Sequence, residues 1–135
     1  MANILNNLND FRVSVVKDLK IGSIFAHHYY AYDGYMLYIK YANHDIYDVR
    51  NNKPNIMVLN GADLGCHGKF NTGVYVSVIY ESVDEEDLPL VDCFNKNTVN
   101  KFDEDIFKEI CRYFYDKYIL QNKKAKKPNI YYDLI

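Results

Sequence analysis

Apolar residues at the start of the chain, Ile4, Leu8, Phe11, Val15 and Leu19, recur at three- and four-residue steps, the period of one helix face. Phe11, Val13 and Val15 also alternate, the period of a half-buried strand, so the second half of this segment fits either template. The longer period predicts a helix from Asn3 to Lys20. It ends near Gly22, because glycine adopts positive φ just past a helix end without strain.

The next stretch, AHHYYAYDGYMLYIKYA from Ala26 to Ala42, shortens the period to two. Asp33-Gly34 is a strong two-residue hairpin signal, since a type I′ turn needs positive φ at both central positions. Folding there sets Tyr32 opposite Tyr35, Tyr30 opposite Leu37, His28 opposite Ile39 and Ala26 opposite Tyr41 on one face. The other face carries Phe25, His27, Tyr29 and Ala31 across from Ala42, Lys40, Tyr38 and Met36. Cross-strand aromatic pairs contribute about 0.2–1 kcal/mol each, which gives most of these tyrosines a structural role.

Further strands are expected at His44–Arg50, at the short apolar run Ile56–Leu59, and at Val74–Tyr80. The last of these, VYVSVIY, is apolar toward both faces and therefore central in a sheet. Leu88–Phe94 reads as an edge strand, because Pro89 cannot donate to a ladder. Gly61–Gly73 reads as a glycine-rich loop. Phe102, Ile106, Ile110, Phe114 and Tyr118, widened by Phe107 and Tyr113, form the stripe of a C-terminal helix. Asp103, Glu104 and Asp105 in its first turn and Lys123, Lys124, Lys126 and Lys127 beyond its end suit the helix dipole. The pattern predicts one α+β domain over residues 1–135. It has a mainly antiparallel sheet of five or six strands with a helix at each end, and residues 128–135, ending in NIYYDLI, form a docking tail.

Composition narrows the function classes. A net charge of −2 lacks the basic excess of a phosphate-backbone binder, so nucleic acid is not the expected partner. The N-terminus has no basic start followed by an apolar run, and no window reaches the roughly 20 apolar residues of a membrane helix. Three cysteines at wide spacings, Cys66, Cys93 and Cys111, fit reduced thiols better than a disulfide framework. These features lead to the expectation of a cytoplasmic protein that spans no membrane. The departure from average is fourteen Tyr and seven Phe without a Trp, more aromatic surface than one small core absorbs.

Candidate chemistry is sparse. His27, His28, His44, Cys66 and His67 lack paired zinc-ligand spacing, and adjacent strand histidines face opposite ways, so no metal or cofactor is expected. The loop NGADLGCHGKFNTG resembles neither a P-loop nor a dinucleotide fingerprint. Cys66 beside His67 is the one candidate nucleophile–base pair, and its chemistry depends on a geometry that adjacency does not supply. Asp84, Glu85, Glu86 and Asp87 in the turn VDEEDLP read as a solvated loop or a contact patch for a basic protein surface.

The leading expectation is a non-enzymatic protein-binding domain, of the size and style of immunity proteins and phage-encoded inhibitors. It blocks a partner through a sheet face carrying His27, Tyr29, Met36 and Tyr38 together with the acidic turn Asp84–Asp87. The alternatives are a small enzyme using Cys66 and His67, a binder of single-stranded nucleic acid, and a homodimer formed through the aromatic face or the tail.

Overall fold

Among the described residues, six short strands hydrogen-bond into one antiparallel sheet in the order β1-β6-β2-β3-β4-β5. They are β1 (Arg12–Val15), β2 (Ile24–His27), β3 (Leu37–Lys40), β4 (Ile56–Val58), β5 (His67–Gly68) and β6 (Tyr75–Tyr80). Two helices follow, α1 (Leu88–Asp92) and α2 (Lys101–Tyr115), and a wider π turn extends α2 over Asp116–Leu120. The fold is therefore α+β, as the pattern predicts. This computed structural model describes residues 11–27, 36–44, 53–95 and 101–121. The tip of the expected hairpin, all of the expected strand His44–Arg50 beyond His44, and the tail at 128–135 lie outside the described residues.

The sheet has an apolar layer on each side. Ile24, Ala26, Leu37, Ile39, Met57 and Ile79 meet Phe107, Cys111, Phe114 and Tyr118 of the α2 segment on one side. Phe25, Ile56, Val58, Val76 and Val78 form the other side, covered by Val16, Leu19 and the partly buried Phe70 and Val74. Each fully buried side chain of this size contributes about 1.5–3 kcal/mol. Strand β6 supplies residues to both layers and has a hydrogen-bonded neighbour on each edge, which explains its uninterrupted apolar run. A bulge opposite Ile24 and Phe25, whose partners are Tyr80 and Val78, lets Ile79 and Tyr80 both pack on the helix side.

The far-side cover is held down by two buried polar side chains. Lys40, only 2% exposed, donates from Nζ to the carbonyls of Val16 and Leu19, both at 2.9 Å. Asn55 donates from Nδ2 to the carbonyls of Phe70 (2.8 Å) and His44 (3.3 Å) and accepts the Phe70 N–H at 2.8 Å. At the sheet edge, Arg12 grips Glu81 with two bonds of 2.7 Å, an exposed pair worth no more than about 1 kcal/mol.

Four expectations are corrected in detail. The predicted N-terminal helix is, over its described part, strand β1 and a 3-10 turn at Val16–Asp18. The alternating Val13 and Val15 prevail because β1 completes the open edge of β6. The β2–β3 register places Ala26 opposite Leu37 and Ile24 opposite Ile39, four positions from the pairing that a turn at Asp33-Gly34 implies. An even shift leaves every side chain on its expected face. Leu88–Phe94 is helix α1 with a 3-10 continuation, where Pro89 in the first turn leaves no hydrogen bond unmade. The glycine loop contains edge strand β5, paired to β4 through Gly68 opposite Ile56 and His67 opposite Met57.

Candidate functional site

The acidic turn and α2 come together at one edge of the molecule. Asp84 precedes a 3-10 turn at Glu85–Asp87 that runs directly into α1, so the four carboxylates cannot spread out along a strand. Tyr113, Lys117 and Tyr118 project toward them, at the i, i+4 and i+5 positions that share one side of a helix. Lys117 Nζ lies 2.8 Å from Asp87, 3.2 Å from Glu86 and 3.3 Å from Asp84. Asp87, 4% exposed, also accepts hydrogen bonds from the hydroxyls of Tyr113 (2.9 Å) and Tyr118.

This arrangement fixes the protonation states. Burial alone would raise the Asp87 pKa, but hydrogen bonds from Lys117, Tyr118 and Tyr113 outweigh it and hold the carboxyl below its usual range. The Lys117 ammonium is raised in turn, chiefly by its bond to Asp87. Burial, and then the bond to Asp87, raises Tyr118, which stays a neutral donor. Oxygens of Asp84, Glu86 and Asp87 lie within 4.8 Å of one another, close enough to hold a cation. The Lys117 ammonium already occupies that role, so a metal ion would have to displace it.

Beside this cluster runs an apolar stripe. Ile106 and Tyr113, seven residues apart and so on one side of α2, are each 42% exposed, and Leu120 at the end of the π turn is 57% exposed. The predicted core stripe is rotated accordingly, with Phe107, Ile110, Cys111, Phe114 and Tyr118 packing inward in place of Ile106 and Tyr113. Glu109 and Asp116, exposed and three or four positions from the stripe residues, flank it with further negative charge.

The other candidate residues sit elsewhere. Met36 and Tyr38 lie on the far side of the sheet, half-buried against its core, with Tyr38 5.6 Å from the Phe25 ring and 4.8 Å from the Phe70 ring. His27 is half-buried, its ring 6.1 Å from that of Phe70, and Tyr29 lies outside the described residues. Phe70 therefore roofs part of the face that was expected to be open. Cys66 is exposed, while His67 turns into the helix-side core. The Tyr41 hydroxyl and His67 Nδ1 are 2.9 Å apart, and Nε2 is buried without a hydrogen-bond partner among the described residues. Burial lowers the His67 pKa and raises that of Tyr41, which keeps both neutral. The structure thus places Cys66 and His67 in different environments.

Lys117, Tyr113 and Tyr118 are the site residues that sequence reading missed. Their signal was present as a Tyr-x3-Lys-Tyr spacing late in a helix, downstream of an acidic turn, but nothing in it fixed the distance between the two segments. Among the described residues, no helix is long and apolar enough to cross a membrane. No protein-family model, curated protein or solved structure matches this chain.

Proposed function

We propose that this chain is a protein-binding domain whose contact surface is the edge formed by the acidic turn and the outward side of α2, and that its partner presents a basic surface. The observation that carries this reading is the exposed row Ile106, Tyr113 and Leu120 bordered by Asp84, Glu86, Glu109 and Asp116. Apolar and aromatic side chains supply desolvated contact area, and a rim of one charge sign selects and steers a partner of the other. Lys117 neutralises only part of the acidic cluster, so the rim stays negative. Blocking a basic effector, in the manner of an inhibitor or immunity protein, is the activity that such a surface suits.

His27, Met36 and Tyr38 lie across the sheet from α2 and form a separate candidate patch. Affinity capture from the native host with wild type, an Ile106→Asp/Leu120→Asp double variant, Glu85→Lys and Tyr38→Ala tests the two patches. Loss of the same captured protein in the first two variants, with retention in Tyr38→Ala, supports the α2 edge. Retention in all of them defeats the proposal. Loss in Tyr38→Ala alone moves the contact to the sheet face.

A further inference from the structure

Lys40 raises a question of charge balance. Its ammonium is buried, and its two hydrogen bonds go to neutral backbone carbonyls, Val16 O and Leu19 O. A lysine this deep is ordinarily paired with a carboxylate, because an uncompensated buried charge is costly. Among the described residues none lies within ion-pairing distance, and the acid that acts on it from further away is the exposed Asp18. Among the described residues these two bonds engage two of the three ammonium donors.

Lys40 forms part of the wall of a cleft of about 340 Å³ on the far side of the sheet. Its polar lining is Lys17, Lys40, Asn43, His44, Asn55 and Thr72, with no Asp or Glu among the described residues. The volume is at the small end of ligand pockets and holds a compact metabolite. The walls are preformed. Asn55 ties the His44 and Phe70 segments together, and the Lys17 N–H donates to Thr72 O at 3.0 Å.

We propose that this cleft binds a small oxyanion, a carboxylate or phosphate group of a soluble metabolite, which supplies buried Lys40 with a close counter-charge. Lys40 contributes its positive charge from the wall, and Lys17 contributes a second at the rim. The site lies on the opposite side of the sheet from α2 and does not depend on the protein-binding reading. Burial lowers the Lys40 pKa, and a bound anion would reverse that tendency by favouring the ammonium.

The full chain is titrated with inorganic phosphate and, separately, with acetate. Ionic strength is held constant with chloride, and backbone amide and lysine ammonium resonances are followed by NMR. The expected result is saturable shifts at Lys17, Lys40, Asn43 and Thr72 with at least one of the two ions. Saturation by phosphate alone assigns a phosphate group, by acetate alone a carboxylate, and by both a general oxyanion site. Lys17→Glu should weaken binding by about tenfold or more, whereas Lys108→Glu, on α2 across the sheet, should leave it unchanged. Lys40→Met should abolish binding; if that variant does not fold, Lys17→Glu carries the test. Absence of saturation by either ion, or wild-type affinity in Lys17→Glu, overturns the proposal.

Discussion

The hydroxyl of Tyr118 bridges the acidic turn, accepting the Asp84 N–H at 2.8 Å while donating to the carboxylate of Asp87, 31 positions away in the chain. One buried phenol thus satisfies a backbone donor and a charged acceptor together, and it fastens the start of α1 to the end of α2. Tyr118→Phe leaves both groups without that partner. It should cost about 1.5–3 kcal/mol in denaturant unfolding, with an unchanged m-value. Tyr113→Phe, at an exposed position, should cost less than about 1 kcal/mol. Equal costs would show that the bridge has no special weight.

Acid should loosen this edge. The folded Asp87 pKa is depressed, so its contribution is complete above the unfolded value of about 3.9 and is lost as pH falls through the lower folded value. At pH 7, Asp87→Asn should destabilise by about 1.5–3 kcal/mol, and the gap to wild type should narrow below about pH 3. Thermal unfolding across pH 2–7 measures both.

His67 acts in a higher window. Its folded pKa is lowered, so the unfolded chain takes up the proton first and stability declines as pH drops below about 6.5 toward the folded value. His67→Phe, which keeps a ring against Phe107, should remove that part of the decline. A profile that keeps its full slope between pH 6.5 and 4 in the variant would count against neutral burial of the ring.

Two glycines with similar backbone angles should respond differently to alanine. Gly61 has φ +79° and open space where a methyl group would stand, so Gly61→Ala carries only the left-handed strain of about 1–2 kcal/mol. Gly65 has φ +83°, and a Cβ there would come within 2.6 Å of Lys108 Cγ and 3.3 Å of Lys108 backbone atoms. Gly65→Ala should therefore cost clearly more than Gly61→Ala, because α2 must shift away from the loop. Equilibrium unfolding of the two variants compares them directly.

Thiol labelling should follow burial. Cys66 is exposed, whereas Cys111 is buried and its thiol is pushed up to about 12, chiefly by desolvation. Iodoacetamide on the native chain, read by peptide mass spectrometry, should modify Cys66 and spare Cys111 until denaturant is added. Early labelling of Cys111 would mean that the α2 contact opens readily.

Local periodicity made much of the fold legible. The alternation along β2 and β3, the uninterrupted apolar run of β6 and the period of α2 are properties of neighbouring residues, and once the element is set they assign each side chain to a face whatever lies opposite. The β2–β3 register shows the limit, since the faces survived a shift of four positions that the turn signal alone did not foresee. Leu88–Phe94 read as a strand and the segment after Phe11 fitted both periods, and what lay beside them settled the outcome. Val13 and Val15 found the free edge of β6, and Leu88–Asp92 found the helix layer.

What the amino-acid order determined by itself was the α+β class, most of the strands and the positions of the aromatic and acidic groups along the chain. Only tertiary structure decided where those groups act. It brought Asp87 to Lys117 and Tyr118 across some thirty residues, turned Ile106, Tyr113 and Leu120 outward, and buried Lys40 under two carbonyls. The reason is physical. Periodicity acts over one or two turns of backbone, while charge pairing and burial depend on through-space distance, which no local pattern encodes.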